Sequence, residues 1–225
     1  MGAGNDYSLT YQTLDGEKFI NYIKKIAIYA YQKYKLVGVW LIEGFIVGKI
    51  FYFNEINCRP GGVTEVSSAN QILRNFPPFI VIHNLIFLKG DLSWLPSSDK
   101  FNEETAKIIT KQMSRGPFYL KIKAKNNYPI KVKQEFQGNG IYVLTKNNTL
   151  QWIKHGQSTL EANFDNNEIL VADMPLKNSI CYPGVELCTL EGVGYKKHIF
   201  NGPHRLTKEG YRIAEAIYKN FEPIK

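Results

Sequence analysis

Apolar positions follow a helical period at the start of the chain and form strand-like runs directly afterwards. Between residues 16 and 35 the apolar side chains recur every three or four positions, which predicts an amphipathic helix. Gly38 interrupts this pattern, and two short apolar runs follow at residues 39–42 and 49–53. Because Gly48 lies between the runs, the sequence predicts an antiparallel hairpin that turns at this glycine, with Glu43 ending the first strand.

The pattern changes beyond residues 96–99, where a proline, two serines and an aspartate mark the best boundary in the chain. Before it, residues 67–75 predict a short helix, and residues 79–88 fit either a helix or a buried strand. After it, a helix is predicted at residues 102–113 and another at residues 207–218. Several short strands are predicted between them, at residues 118–123, 130–133, 140–144, 150–153, 169–171 and 180–182.

These patterns predict an α+β fold in two parts. Residues 1–95 are expected to form an antiparallel sheet with helices. Residues 96–225 are expected to form a β-rich domain that ends in a helix.

The composition excludes several classes of protein. Apolar residues make up 44% and charged residues 21% of the 225 positions, as in ordinary globular proteins. Three cysteines without a Cys-x-x-Cys spacing argue against a disulfide framework or a zinc site. The longest apolar runs are about ten residues, whereas a transmembrane helix needs roughly 20. No signal-peptide pattern begins the sequence, so we expect a cytoplasmic protein that does not enter the membrane.

The chain is basic, with a net charge of +8 from 28 Lys and Arg against 20 Asp and Glu. This charge favours encounter with anions such as nucleotide phosphates, and it is also typical of an ordinary solvated basic surface. The basic and aromatic stretch at residues 193–205 is more typical of an exposed loop than of a nucleic-acid site. Nucleic acid is therefore not an expected partner.

Three oxygen-bearing side chains are brought together by the predicted hairpin. Glu43 follows the first apolar run, Glu55 lies near the end of the second, and Asn57 is two residues further on. Because side chains two positions apart in a strand share a face, we expect the three to converge at one end of the sheet. Each glutamate alone is typical of a strand-end surface residue. The group, followed by Arg59, favours a site for Mg²⁺ or Mn²⁺, which prefer carboxylate and amide oxygens.

The segment that carries these residues resembles a known motif. Residues 53–62 read Phe-Asn-Glu-Ile-Asn-Cys-Arg-Pro-Gly-Gly and are similar to the signature at the end of the ATP-grasp fold, where the last core strand commonly reads Glu-x-Asn-x-Arg. Residues 38–43 fit the preceding strand of that fold, although the family usually has Asp where this chain has Glu43. The resemblance covers roughly residues 1–90, and residues 38–62 are its specific part.

The resemblance implies an activity and a set of roles. Glu43, Glu55 and Asn57 would hold one or two Mg²⁺ or Mn²⁺ ions that bridge the phosphates of ATP, and Arg59 would contact phosphate or the carboxylate substrate. The implied reaction joins a small carboxylate to an amine through an acylphosphate, as in peptide-forming ligases. Metals and an arginine suit this chemistry, because bringing a carboxylate to a triphosphate concentrates negative charge.

Part of the family's nucleotide site has no counterpart in this sequence. In ATP-grasp enzymes the adenine-side strands, their lysines and a glycine-rich phosphate loop come before this hairpin, and only about 37 residues precede it here. The chain is therefore expected to be the C-terminal portion of a ligase, completed by an N-terminal half or a partner chain, and weak or inactive alone. The alternative is a non-catalytic remnant that binds an anionic partner.

Overall fold

The computed structural model describes residues 4–6, 16–48, 50–110, 118–193, 195, 197–201 and 205–224. These residues form a mixed α+β structure with antiparallel sheets, which confirms the predicted fold class at this level. The chain divides into two compact units. We call Thr10–Ala106 the hairpin unit, and Met1–Leu9 together with Lys107–Lys225 the β-rich unit.

The helices and strands follow one another as listed at the end of this paragraph. None of the described helices combines the length and the apolar character that crossing a membrane requires. In chain order the elements are β1 (Gly4–Asp6), α1 (Gly16–Tyr34), β2 (Leu41–Val47), β3 (Ile50–Asn57), α2 (Gly62–Ile72), α3 (Phe79–Phe87), α4 (Ser98–Thr110), β4 (Phe118–Lys123), β5 (Ile130–Val132), β6 (Gly140–Leu144), β7 (Leu150–Lys154), β8 (Glu168–Ala172), β9 (Ile180–Cys181), β10 (Glu186–Gly192), α5 (Lys208–Tyr218) and β11 (Phe221–Pro223).

Helix α1 confirms the helix predicted at residues 16–35. It ends where Lys35 adopts a positive φ of 54°, while the N–H of Lys35 still donates to the carbonyl oxygen of Tyr31 at 2.9 Å. Its Tyr22 ring meets the Phe51 ring of β3 edge-on, with 6.0 Å between the ring centroids. One face of the hairpin therefore packs towards this helix.

Strands β2 and β3 form the predicted antiparallel hairpin. Glu43 pairs directly with Glu55, and Gly44 pairs with Phe53, so Asn54 is an additional residue in β3 and forms a bulge. A side chain at Gly44 would collide with the Phe51 ring and with the backbone oxygen of Tyr52. Glycine at this position therefore lets the two strands close beside the bulge.

Helices α2 and α3 are joined through polar side chains of α2. The N–H of Phe79 donates to Oε1 of Gln71 at 2.9 Å, and the N–H of Ile80 donates to Oγ of Ser68 at 3.1 Å. The first turn of a helix leaves its N–H groups without partners in the helix, so these two bonds cap α3 from a neighbouring element. Residues 79–88, for which the sequence left two interpretations, are thus helical.

The β-rich unit contains a six-stranded sheet with the strand order β1-β4-β10-β8-β6-β7 and a three-stranded sheet with the order β11-β5-β9. The six strands predicted from the sequence are present, as β4 to β9. Strand β10, which lies between β4 and β8, was missed by the sequence patterns. The main core of the unit includes fully buried side chains of three neighbouring strands, Ile122, Leu190 and Ile169.

Thr207 caps the first turn of α5, and its replacement is expected to destabilise the β-rich unit. Its Oγ1 accepts the N–H of Gly210 at 3.2 Å and donates to the carbonyl oxygen of His198 at 2.6 Å. We expect Thr207→Ala to lower the free energy of unfolding by about 1 kcal/mol, measured by urea denaturation. Thr207→Ser keeps the hydroxyl and should retain most of the stability. Equal losses in the two variants would contradict a capping role.

Candidate metal and phosphate site

The hairpin brings Glu43, Glu55 and Asn57 onto one face, as the sequence predicted. Glu43 and Glu55 are direct partners across the two strands, and Asn57 lies two residues beyond Glu55, opposite Leu41. The Nδ2 group of Asn57 donates to Oε1 of Glu43 at 2.7 Å and to Oε1 of Glu55 at 3.1 Å. The three side chains therefore lie close enough to act on a single ion.

The electrostatics of this group favour a cation. Like charges placed directly opposite each other on two strands repel, and here one amide group bridges the two carboxylates. Both glutamates are exposed and Asn57 is half-buried, so water and a ligand can reach the carboxylate oxygens. A divalent cation between the carboxylates would relieve the repulsion more fully than the amide does.

The donor set suits Mg²⁺ or Mn²⁺ and is incomplete without further oxygens. No cluster of three or more His, Cys, Asp or Glu side chains suited to a metal ion occurs in the described parts of the chain. Mg²⁺ usually binds to one or two carboxylates and keeps several waters or phosphate oxygens. Two glutamates and one amide match that pattern, provided that the Asn57 amide turns its oxygen towards the ion.

The position of Glu43 differs from the expectation in one respect. The sequence predicted that Glu43 ends the first strand, whereas β2 continues through this residue to Val47. The expectation was wrong because the pairing does not stop where the apolar run 39–42 stops: Gly44 pairs with Phe53, and the ladder continues to Val47. Glu43 is thus the third residue of a seven-residue strand, and the residues before and after it also pair with β3.

Arg59 follows β3 and lies outside this group of contacts. Its Nη1 donates to the carbonyl oxygen of Pro60 at 3.2 Å, and its own N–H donates to the carbonyl oxygen of Asn57 at 2.8 Å. Among the described contacts, none joins the guanidinium to the two glutamates. Its predicted role towards phosphate or substrate stays a prediction.

His83 is a supporting residue that the sequence patterns missed. Its Nδ1 accepts the N–H of Val39 at 3.1 Å, two residues before β2 begins. Gly38, at a φ of 85°, lies so close to the His83 and Phe87 rings that a side chain there would collide with them. Helix α3 therefore fixes the entry into the strand that carries Glu43. His83 and Phe87 lie one helical turn apart within one apolar segment, so periodicity alone gave no signal for their contact with Gly38.

The basic stretch at residues 193–205 contributes side chains to the core, whereas its composition predicts an exposed loop. Tyr195 and Ile199 are buried, and the Tyr195 hydroxyl donates to Oε1 of Glu209 at 2.8 Å. Gly194, Lys196 and residues 202–204 lie outside the described residues. In the described part, these two apolar groups serve the core rather than an exposed binding surface.

Comparisons of the chain with protein-family models, curated proteins and solved structures returned no match. The ATP-grasp resemblance accordingly stays a prediction from the sequence of residues 38–62.

Proposed function

We propose that the chain carries the metal- and phosphate-binding hairpin of an ATP-dependent carboxylate–amine ligase of the ATP-grasp type. The observation that carries the proposal is the placement of Glu43, Glu55 and Asn57 on one face of the hairpin, within hydrogen-bond distance. The order of these residues in the sequence supports the family, and their geometry supports joint binding of one ion.

In this proposal the two carboxylates and the amide oxygen hold Mg²⁺ or Mn²⁺ from one side. The bound ion would neutralise negative charge on the phosphates of ATP during phosphoryl transfer. Glu43 and Glu55 would fix its position, because the ladder of β2 and β3 holds both residues. Arg59 would contact phosphate or the carboxylate substrate, for which a guanidinium offers paired donors.

The proposed reaction has two steps. A carboxylate oxygen of the first substrate attacks the γ-phosphorus of ATP, and the bond from that phosphorus to the oxygen of the leaving ADP breaks. An amine then attacks the carbonyl carbon of the acylphosphate, phosphate leaves with the bonding electrons, and the nitrogen loses a proton. An N-terminal half or a partner chain that holds the rest of the nucleotide is part of the same proposal.

Calorimetric titration of Mn²⁺ into the chain tests the metal site, because it requires no other part of a nucleotide site. We expect Glu55→Gln to weaken Mn²⁺ binding at least about tenfold, since it removes one charged ligand. Glu135→Gln removes an exposed carboxylate from the β-rich unit and should leave the affinity unchanged. A further titration with preformed Mn²⁺–ATP should show the same difference. Equal Mn²⁺ affinities in the two variants would overturn the proposed site.

A further inference from the structure

Four solvent-exposed apolar side chains lie on the face of the hairpin that carries the carboxylates of Glu43 and Glu55. Phe45 pairs with Tyr52, and Val47 pairs with Ile50. Alternation along β2 puts Phe45 and Val47 on the same face as Glu43, and the bulge at Asn54 returns Glu55 to the face of Tyr52. We call Phe45, Val47, Ile50 and Tyr52 the apolar quartet.

The apolar quartet is more exposed than the described aromatic side chains of the opposite face, where Phe53 is 42% exposed. Its four side chains retain between 51% and 63% of their accessible surface. On the opposite face Phe51 is half-buried and meets Tyr22 of α1. Within the described part of the hairpin unit, the apolar residues that are fully buried are Ala30, Val66 and Ala69. The unit thus has little core of its own, and contiguous exposed apolar surface of this kind marks an interaction site.

We infer that the apolar quartet is the centre of a two-fold interface between two copies of this chain. The first reason is area. Aromatic side chains bury about 150–250 Å² each when covered, and Val and Ile bury less. Since the four side chains are a little over half exposed, the quartet offers roughly 400 Å² per copy. Two copies would cover about 800 Å² with these side chains alone. This area lies below the roughly 1,200 Å² at which stable interfaces begin, so we expect a weak dimer that forms at micromolar concentrations of the chain.

The second reason is that the face is complementary to itself. A two-fold axis brings the same patch of both copies together, so an interface of this kind needs an uncharged centre. If the two hairpins lie antiparallel and the two-fold axis passes through the centre of the quartet, each Glu43 is three residues, or about 10 Å, from that axis. The Glu43 side chains of the two copies are then about 20 Å apart, beyond the Debye length of roughly 8 Å at physiological salt.

The same arrangement leaves the candidate metal site open. The turn at Gly48 is two residues from the axis on the other side, or about 7 Å, and so nearer to it than Glu43. Each hairpin tip would therefore end beside the carboxylates of the other copy without lying over them. The interface depends on apolar area and does not rest on the proposed ligase activity.

Light scattering coupled to size-exclusion chromatography, from about 5 to about 200 µM chain, tests the inference. We expect the wild-type chain to form a closed dimer, and Val47→Glu to raise the dissociation constant of that dimer at least about tenfold. Leu176→Glu is the matched control, because Leu176 is 82% exposed as a single residue of the β-rich unit. It should leave the dimer unchanged. Circular dichroism checks folding, and Tyr52→Lys replaces Val47→Glu if that variant does not fold.

The possible outcomes separate this inference from the proposed function. A wild-type monomer across the concentration range would overturn the interface and would mean that a different polypeptide covers the quartet. Open-ended oligomers, or a dimer that Val47→Glu and Tyr52→Lys leave intact, would overturn it as well. Mn²⁺ binding should persist in Val47→Glu, so loss of the dimer and loss of the metal site are measured independently.

Discussion

Replacing Glu43 and Glu55 together by glutamine should abolish Mn²⁺ binding and, without metal, make the hairpin unit more stable. We expect the Mn²⁺ affinity to fall about 100-fold or more, since both charged ligands are lost. We expect the free energy of unfolding without metal to rise by about 0.5–1 kcal/mol. The two effects have opposite signs because the carboxylates repel each other and attract a cation.

The register of the hairpin explains the gain in stability. Glu43 and Glu55 are direct cross-strand partners, the arrangement in which like charges destabilise a sheet most. Glutamine retains the side-chain length and an acceptor oxygen for the amide group of Asn57, which donates to both glutamates. The double substitution therefore removes the repulsion and can keep the hydrogen bonds.

Thermal unfolding in a chelating buffer and Mn²⁺ titration together test this prediction. The matched control is Glu135→Gln with Glu215→Gln, which removes two exposed carboxylates from the β-rich unit. It should leave Mn²⁺ binding as in the wild-type chain. A double variant at Glu43 and Glu55 that is less stable without metal would contradict the repulsion between the carboxylates, and unchanged Mn²⁺ affinity would contradict their binding role.

The convergence of the site residues could be predicted because it depends on local rules. Two apolar runs on either side of Gly48 are enough to indicate a hairpin, and a spacing of two residues puts Glu55 and Asn57 on one face. The expectation of Mg²⁺ or Mn²⁺ then follows from the oxygen atoms of these side chains, and it stays a prediction. Each step uses residues that are neighbours in the sequence.

The bulge at Asn54 could not be predicted in the same way. A regular ladder continued from the pair of Phe45 and Tyr52 would place Asn54 opposite Glu43 and turn Glu55 to the other face. Only the tertiary pairing shows that the extra residue restores Glu55 to the side of Glu43. The sequence pattern grouped Glu43, Glu55 and Asn57 without this step.

Strand β10 was missed for a related reason. It lies inside the six-stranded sheet, where both faces are covered, and Thr189 and Glu191 are buried although they are polar. Alternation of apolar and polar residues indicates a strand with one exposed face, so it fails for a strand of this kind. The preceding turn residues from Tyr182 to Gly184 also obscured its start.

A partly buried ion pair in the β-rich unit arises from residues that no short motif connects. Nη1 of Arg212 donates a hydrogen bond to Oε2 of Glu209 at 2.7 Å, and the Tyr195 hydroxyl donates one to Oε1 of Glu209 at 2.8 Å. Nε of Arg212 in turn donates to Oδ1 of Asn148 at 2.7 Å, which ties helix α5 to the turn between β6 and β7. The Glu209 side chain is only 10% exposed, so its partners replace most of its contact with water.

Glu209→Gln is expected to lower the free energy of unfolding at neutral pH by about 2–3 kcal/mol, because it leaves the Arg212 charge partly buried without its partner. Burial raises the pKa of the Glu209 carboxyl, but the hydrogen bonds from Tyr195 and Lys197 and the charges of Lys197 and Arg212 outweigh it, so the pKa lies below its ordinary value of 4.5. A lowered pKa means that the ionised carboxyl stabilises the folded chain above pH 4.5, and that this contribution is lost as the pH falls through the lowered pKa.

Urea denaturation of wild type and Glu209→Gln should therefore give free energies of unfolding that differ at pH 7 and converge under acid. Glu215→Gln, on the exposed side of the same helix, should follow the wild-type curve, and a difference between wild type and Glu209→Gln that persists unchanged into acid would contradict the ion pair as its source.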